Sequence, residues 1–427
     1  MNIFFKDLSK ATTFFLFFPV MLFAQNNNIP AAIDSNLIPL KSVEVSNDAS
    51  DLKPLKAKIE DKRIFLMGEA THGTHEFFTT KQRLVQLLVT ELNYKVFVIE
   101  ADMAGAEYMN DYIGSGKGTA KNALEKMAIG VWMNRDFINL IEWMKSYNED
   151  KKEEDKIKFF GCDMQFAVNN GKILLDGIIK LAEPISEKAK LGLEVLTKYN
   201  YGKIENSELP NLAKLEAELK NAVIEEKDPN LLAKYQRYIK GILQTLEYSK
   251  AKYLYDKDVI RDKSMAENVV WIYEQQGMSK MIVWAHNFHV SKDFTMNKNL
   301  PMGYYISSKF PKETYVMGFT FNSGSFRAFN TQTNKYGECI VTPVTNKNSV
   351  ETFFSKCSAP NFILDFNSSK NNILINNFLN QQLYSRGIGG AYDPKKQLDG
   401  QGGAYQKLIK MYDGIIFINA TTMTFPL

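Results

Sequence analysis

The stretch I-F-L-M-G-E-A-T-H-G-T-H-E, residues 64 to 76, joins a short apolar run to a segment that carries two histidines and two glutamates. Four consecutive apolar residues without in/out alternation are typical of a strand that is covered on both faces. In open parallel sheets, ligands bind beyond the carboxyl ends of the strands. The stretch therefore predicts a buried strand whose end presents titratable side chains to a site.

The same pattern recurs along the chain. Further apolar runs lie at residues 96–99, 157–160, 281–285, 315–321, 362–365 and 414–418, and helical patterns lie between runs at residues 76–92, 104–112, 135–148 and 262–276. Strands that alternate with helices indicate an α/β fold with a largely parallel sheet flanked by helices. Glu100, Asp163 and His286 follow three of these runs. We therefore expect them beside Glu69 and His72 at one rim of the sheet.

Residues from about 171 to 255 differ in composition from the rest of the chain. Leu, Lys, Glu and Ala recur there with helical spacing, and no apolar run of comparable strength interrupts them. We interpret the region as an α-helical insertion packed on the sheet. Its tyrosines, such as Tyr235 and Tyr248, either line a substrate cleft or belong to the core of the insertion.

All four histidines of the chain fall in two short segments, G-E-A-T-H-G-T-H-E and W-A-H-N-F-H-V, the second at residues 284–290. Imidazole has the unperturbed pKa nearest neutrality, so it is the usual proton carrier or metal ligand of an active site. Two histidine pairs with flanking carboxylates favour a chemical role over four isolated structural histidines.

Residues 1–24 have the features of a signal peptide. Lys6 and Lys10 precede an apolar run at residues 14–24, and a polar segment follows Ala24. A basic start, a short apolar core and a small residue at the boundary are typical of a secretory signal, and this core is shorter than a membrane span. We therefore expect residues 25–427 to form a periplasmic or secreted protein without stable membrane insertion.

The composition excludes some classes of partner. The formal net charge is +4, and residues 1–24 contribute one positive charge of it, so the charge gives no reason to invoke nucleic acid. Cys162, Cys339 and Cys357 are too few for a disulfide scaffold. In an oxidising compartment Cys339 and Cys357 can pair and leave Cys162 free, a point that the sequence leaves open.

With these residues in view, the chain resembles the erythromycin esterase family, including its succinoglycan-biosynthesis-like members. The family motif G-E-x-T-H-G appears at residues 68–73, and the second histidine motif, W-A-H-N, appears at residues 284–287. The match continues through V-F-V-I-E-A at 96–101, F-G-C-D-M-Q at 160–165 and Y-D-G-I-I-F at 412–417. It thus covers nearly the whole chain after the signal peptide.

The resemblance implies a hydrolase that opens carboxylic esters or macrolide lactones without a serine nucleophile, a metal or another cofactor. His72 is then the base that activates water. Glu69, Glu100 and His286 complete the catalytic site. The implied partner is a small-molecule ester or lactone, which connects the family to antibiotic resistance.

Other side chains are expected to support these four. A basic residue on the helix after the first motif belongs to the family pattern, and Lys81 or Arg83 can fill this position. Either of them, or charged His286, is a candidate to stabilise the developing oxyanion. Further supporting candidates are Asp163, His289, Glu76 and, in a glycine-rich C-terminal segment, Tyr392. His75 occupies a variable position of the family motif, so we do not expect it to be catalytic.

Three alternatives remain open at this stage. The histidines and carboxylates offer enough ligands for a zinc or manganese hydrolase, although the pattern H-E-x-x-H is absent. A serine or thiol nucleophile is disfavoured, because no G-x-S-x-G occurs and Cys162 is more typical of a small buried cysteine. A non-catalytic periplasmic protein that binds an apolar ligand predicts an aromatic pocket with few converging carboxylates and imidazoles.

Overall fold

The computed structural model describes residues 28–46, 48–199, 204–293, 299–395 and 403–427. The predicted signal peptide, residues 1–24, lies outside this part of the chain. No helix of the described residues has the length and apolar character needed to cross a bilayer.

A mixed sheet forms the centre of the molecule. The strands are β1 (Ile38–Pro39), β2 (Ile64–Met67), β3 (Val96–Asp102), β4 (Lys158–Asp163), β5 (Met281–Trp284), β6 (Thr314–Asn330), β7 (Lys335–Val341), β8 (Asn361–Asp365), β9 (Leu383–Arg386), β10 (Ala391–Tyr392), β11 (Gly403–Gln406) and β12 (Gly414–Thr421). Their order in the main sheet is β1-β8-β12-β6-β2-β5-β3-β4, β7 and β10 pair with β6, and β9 and β11 form a separate pair. In the order from β12 to β4 every pair of neighbouring strands is parallel, and β8 pairs with β12 in the antiparallel direction. The predicted largely parallel sheet is confirmed.

Helices cover the sheet and connect its strands. They are α1 (28–34), α2 (Lys53–Ile59), α3 (His75–Leu92), α4 (Met103–Ser115), α5 (Ala120–Met127), α6 (Arg135–Glu149), α7 (Val168–Leu175), α8 (Glu187–Lys198), α9 (Leu209–Lys220), α10 (Pro229–Lys250), α11 (Leu254–Gln275), α12 (Asn287–Val290), α13 (Met302–Lys309), α14 (Val350–Phe354), α15 (Phe366–Ser369), α16 (Ile373–Leu379) and α17 (Leu408–Met411). Single 3-10 turns are formed by Ser50–Leu52, Gly130–Trp132, Glu153–Asp155 and Asn206–Glu208.

The central strands are continuously apolar because both faces of the sheet are buried. In β2, Ile64 and Leu66 belong to one apolar layer, whereas Phe65 and Met67 belong to the other. All four side chains are inaccessible to solvent. Burying a side chain of this size contributes about 1.5–3 kcal/mol, so a polar residue at any of these positions would oppose the fold.

Four strands end close together at one edge of the sheet. Met67 of β2 and Ile99 of β3 both pair with Trp284 of β5. Asp102, the last residue of β3, pairs with Asp163, the last residue of β4. The segments that follow these strands therefore share one rim, which is where the sequence placed its titratable side chains.

In the described part of residues 171–255 the chain forms the end of α7, then α8, α9, α10 and the start of α11, with loops between them and an isolated bridge between Leu181 and Ile224. Its apolar side chains belong to the apolar layer that also contains Ile64, so the helices pack on one face of the sheet. Tyr248 is buried, as a core position requires.

The structure extends the predicted strand at residues 315–321 into a hairpin. Beyond Phe321, β6 continues to Asn330 and pairs antiparallel with β7, and buried residues there alternate with more exposed ones. Such alternation is typical of a strand with one covered face. Cys339 lies in this hairpin and Cys357 follows α14, and both are free, so the structure does not contain the disulfide that the sequence left open.

Candidate active site

Glu69 and His72 form the centre of the polar rim. Glu69 follows β2 and is almost fully buried, with 1% of its side chain exposed. Its Oε1 accepts a hydrogen bond from Nδ1 of His72 at 2.7 Å. Because a carboxylate oxygen only accepts, this contact places the ring proton of neutral His72 on Nδ1 and leaves a lone pair on Nε2.

Two further side chains hold the Glu69 carboxylate. Its Oε2 accepts hydrogen bonds from Nζ of Lys81 at 2.7 Å and from Nε1 of Trp284 at 2.6 Å. The Lys81 ammonium is fully buried and lies 4.1 Å from the centroid of the Trp284 ring. The carboxylate therefore has three fixed donors and little freedom to rotate.

The charges of this pair depend on each other. Burial acts to raise the pKa of Glu69, but the charge of Lys81 and the hydrogen bond from His72 outweigh it and hold the pKa below its ordinary value. Burial lowers the pKa of Lys81 to about 8, against the opposing effect of Glu69. Glu69 is thus ionised at neutral pH and can stabilise a positive charge on His72.

His286 lies beside His72, and their ring centroids are 5.1 Å apart. It caps the N-terminus of α12: its Nδ1 accepts the backbone N–H of Phe288 at 3.3 Å, and Nε2 is 3.3 Å from the backbone oxygen of Ile388. These partners assign its proton to Nε2. Burial, and then the charges of His72 and His289, lower the pKa of His286 to about 3. The expectation of a charged His286 is therefore wrong; the ring is a neutral hydrogen-bond donor.

Glu100 lies near the end of β3 and connects the rim to α11. One of its oxygens pairs with Arg261 through Nη2, and the other accepts the backbone N–H of His286 at 3.1 Å. Burial acts to raise the pKa of Glu100, but the positive charges of His289 and Arg261 hold it well below its usual range. The glutamate thus fixes the backbone that carries His286.

Asp163 and His289 complete this network around Arg261. The guanidinium forms two hydrogen bonds with Asp163, at 2.9 and 3.1 Å, and its Nη1 is 3.1 Å from Nε2 of His289. Nδ1 of His289 is 2.9 Å from Asp262. Burial acts to lower the pKa of His289, but Asp262 and Glu100 raise it above its ordinary value.

Three of the candidate residues have other partners. Arg83 pairs with Asp51 and donates to the backbone oxygens of Ser42 and Asp48, so Lys81 is the basic residue that reaches Glu69. Glu76 accepts two hydrogen bonds from Thr422, both at 2.8 Å, and thereby holds the C-terminal segment. Tyr392 packs on Phe326 at the base of the hairpin. Their side chains show no contact with the imidazole pair among the described residues.

His75, the other histidine of the first motif, contacts Asp136 of α6 at 2.9 Å and Glu44 at 3.2 Å. The hydrogen bond to Asp136, against an opposing effect of burial, raises its pKa to about 9. It is charged at neutral pH and joins the start of α3 to Asp136 of α6 and to Glu44. The expectation that His75 is not catalytic stays a prediction.

Arg261 and Trp284 were not among the predicted site residues. Arg261 stands just before the predicted helix at residues 262–276, and α11 starts earlier, at Leu254. The feature of the sequence that could have indicated Arg261 is its position next to Asp262, in a helix that leads to the second histidine motif. Trp284 was visible as the first letter of W-A-H-N, but the apolar run around it indicated a core position.

Close backbone packing sets the two histidine motifs against each other. The Asn287 amide donates to the backbone oxygen of Phe319 at 2.6 Å and accepts its N–H at 3.1 Å. A Cβ at Gly68 would lie 2.1 Å from Oδ1 of Asn287. Glycine is therefore required at this position of the first motif because the second motif occupies the space of a side chain.

Two cavities flank the cluster. One, of about 150 Å³, is lined by His286, Phe288 and Tyr412 among others. The other, of about 230 Å³, is lined by Asp163 and by residues of the helical insertion. Imidazoles and carboxylates converge between the two cavities, whereas a non-catalytic binding protein was expected to have few such groups. Among the described residues, no three His, Cys, Asp or Glu side chains are arranged to hold a metal ion.

A parallel sheet whose strand ends gather two imidazoles, buried carboxylates and their counter-ions defines an α/β protein with a cluster of titratable groups at one sheet edge. The model of the erythromycin esterase family matches residues 89–421, and the chain belongs to that family. The match includes the second histidine motif and starts within α3, after the first. The resemblance is confirmed, and membership supports a hydrolase function.

Two relatives illustrate the family. The putative hydrolase YbfO of Bacillus subtilis (strain 168) is 27% identical over 429 residues, which cover 91% of this chain and 90% of that protein. Erythromycin esterase type II of Escherichia coli is 25% identical over 377 residues, which cover 77% of this chain and 86% of that protein.

Solved structures show the same fold. A crystal structure of a succinoglycan biosynthesis protein has a TM-score of 0.76 at 23% identity and covers 94% of this chain and 98% of its own. A mutant of the erythromycin esterase EreC in its open conformation has a TM-score of 0.62 at 18% identity, with coverage of 88% and 94%. The α/β fold is therefore established independently of the site.

Proposed function

We propose that the protein is an exported hydrolase that cleaves a carboxylic ester or a macrolide lactone with water activated by His72. One observation carries the proposal. His72 donates through Nδ1 to the buried Glu69 carboxylate at 2.7 Å, and its Nε2 has no hydrogen-bond partner among the described residues. The His72 side chain is 13% exposed, so solvent reaches the ring. This is the arrangement of an oriented general base.

The reaction follows from this arrangement. Nε2 of His72 takes a proton from water while the water oxygen bonds to the carbonyl carbon, and the carbonyl electrons move to its oxygen. When the tetrahedral species collapses, the ester bond to the alcohol oxygen breaks, and His72 returns the proton to that oxygen. Glu69 stabilises the imidazolium between the two steps. The products are a carboxylic acid and an alcohol, or an opened hydroxy acid from a lactone.

We assign the oxyanion donor to His286. Its neutral ring carries a proton on Nε2, which faces the backbone oxygen of Ile388 at 3.3 Å and would exchange that acceptor for the substrate carbonyl oxygen. A neutral imidazole can polarise a carbonyl group without a net charge. Lys81 is fully buried behind Glu69 and pairs with it at 2.7 Å. We therefore propose that Lys81 orients Glu69 and does not contact substrate.

The exported location rests on the sequence of residues 1–24, with its two lysines and apolar core. Export would place the hydrolase where it meets antibiotics and other small esters before they reach the cytoplasm. Mass spectrometry of the N-terminus of the protein recovered from its host tests this point, and a start after Ala24 is expected.

Mass spectrometry of a panel of macrolide lactones and simple carboxylic esters tests the activity. Incubation with the protein should add one water to at least one member, and the His72→Ala variant should leave that member unchanged. The reaction should survive exhaustive chelation. Loss of activity on chelation, with recovery on adding zinc or manganese, would favour the metal-dependent alternative. A panel recovered unchanged would contradict an esterase function.

A further inference from the structure

The cavity of about 230 Å³ lies beside the polar rim and is not used by the proposed reaction. It is lined by the carboxylates Asp102 and Asp163, by the aromatic residues Phe166 and Tyr199, and by Met127 among others. Its walls come from the ends of β3 and β4, from the loop after α5 and from the C-terminal end of α8. It thus joins the catalytic edge of the sheet to the helical insertion.

The two carboxylates of this cavity differ in their partners. Asp163 is paired with Arg261 through two hydrogen bonds. Asp102 is 5% exposed and receives hydrogen bonds from neutral donors, the Asn169 amide at 3.2 Å and the backbone N–H of Gly105 at 3.1 Å. No ion pair joins Asp102 to a basic side chain within the described residues. A buried carboxylate without a counter-ion is uncommon, because its desolvation is normally offset by a paired charge.

The surroundings of Asp102 favour a cation that comes from outside the chain. Burial raises its pKa to about 6, against the hydrogen bonds of Asn169 and Gly105, and the charge of Asp163 raises it further. A bound cation would relieve both effects. Lys198 also lines the cavity, but its side chain is 78% exposed and 3.8 Å from Glu194, so solvent screens its charge.

The remaining walls suit an alkylated ammonium rather than a small metal ion. Phe166, Tyr199 and Met127 supply aromatic faces and a thioether, which attract a large, weakly hydrated cation. The Lys257 ammonium lies 5.8 Å from the ring centroid of Tyr199 and donates to its hydroxyl at 3.1 Å. Its charge opposes a second cation at this ring, so the attraction has to come chiefly from Asp102.

We propose that this cavity is a subsite for an alkylated ammonium group and that the ester or lactone substrates of the rim carry such a group. That the bound molecules are hydrolysed rests on the proposed hydrolase function, whereas binding of an alkylated ammonium in the cavity does not. Asp102 is a specificity residue of the subsite, and Phe166 and Tyr199 enclose the alkyl groups.

Binding of choline and of its neutral carbon isostere, neohexyl alcohol, tests the subsite by titration calorimetry on the full-length protein. Choline should bind about tenfold more tightly than the isostere. The preference should disappear in the Asp102→Asn variant. Asp102 caps the N-terminus of α4 through its hydrogen bond from Gly105. Asparagine can accept the same bond, so the variant should fold. Glu194→Gln is the matched control, since it removes an exposed carboxylate near Lys198 and should leave the preference intact.

Equal binding of choline and neohexyl alcohol by the unaltered protein would overturn the subsite, and so would a preference that persists in Asp102→Asn. A preference lost equally in Glu194→Gln would also overturn it, because the cause would then be the overall charge. Hydrolysis of neutral esters, measured on the same samples, should be similar in the unaltered protein and in Glu194→Gln. Failure of the hydrolase proposal would show as absence of turnover and would leave the binding ratio unaffected.

Discussion

At the residue scale, the site depends on how Glu69 is held. The carboxylate has a buried cation on one oxygen and the proposed base on the other, at 2.7 Å each. Removing one member of a buried ion pair leaves an uncompensated charge in a medium of low polarity. The pair is therefore a requirement for stability as well as for the orientation of His72.

We expect Glu69→Gln to destabilise the fold by about 3 kcal/mol, because Lys81 loses its counter-ion and must either stay charged without a partner or give up its proton. The variant should also lose about 10²-fold or more in turnover, since an amide can stabilise neither the required tautomer nor the imidazolium of His72. Denaturant unfolding and initial rates measure the two effects. The double variant with Lys81→Met should be more stable than Glu69→Gln alone.

An exposed ion pair provides the control. Glu149 lies 2.7 Å from Lys145 on the surface of α6, with 57% of its side chain exposed. Glu149→Gln should change the free energy of unfolding by less than about 0.5 kcal/mol and leave turnover unchanged. If Glu69→Gln and Lys81→Met changed the free energy of unfolding additively, the two side chains would not be coupled.

At the element scale, His75 connects the start of α3 to α6 and to the loop that carries Glu44. The pKa of His75 is raised from 6.5 to about 9, chiefly by its hydrogen bond to Asp136. A group whose pKa is raised on folding binds more protons in the folded state. Its contribution to stability is therefore complete below pH 6.5 and is lost as the pH rises through about 9.

We expect the His75→Asn variant to be less stable than the unaltered protein by about 1 kcal/mol near pH 6, after allowance for solvent screening. The difference should shrink towards zero near pH 10, where the histidine is neutral in both states. Urea unfolding at a series of pH values measures it. A difference that is constant over this range would show that the ion pair with Asp136 does not contribute.

At the scale of the whole molecule, Arg261 joins parts of the chain that are distant in sequence. It binds Glu100 and Asp163 at the ends of two strands and contacts His289 in the second histidine motif. α11 brings the chain back from the helical insertion to the sheet, so this guanidinium couples the position of the insertion to the rim. Arginine suits the role because its planar group can bind several acceptors at once.

We expect Arg261→Gln to lower turnover more than it weakens substrate binding, since Arg261 acts through Glu100 on the backbone of His286 and does not touch substrate. Loss of Arg261 should raise the pKa of Glu100. As the pH is lowered, the variant should therefore lose activity at a higher pH than the unaltered protein does. Steady-state kinetics across pH measure both effects. Arg261→Lys should recover part of the activity. If Arg261→Gln lost activity at the same acidic pH as the unaltered protein, Arg261 would not act through Glu100.

The sequence predicted the fold well because the central strands are buried on both faces, as Ile64 to Met67 show, and this leaves a continuous apolar run. It also predicted that Glu69, His72, Glu100 and His286 meet, since parallel strands end at one edge. It did not reveal Arg261, whose partners lie 98 and 161 residues away. Nor did it give the charge state of His286, because burial depends on how the whole molecule packs around the ring.

The most direct test of the account compares two histidines of one motif. Turnover of the best ester or lactone substrate should be measured for His72→Asn and for His75→Asn, with circular dichroism as a check on folding. We expect a loss of about 10²- to 10⁴-fold for His72→Asn and near-normal turnover for His75→Asn. A folded His72→Asn variant with turnover within about threefold of the unaltered protein would contradict the role of His72 as the base.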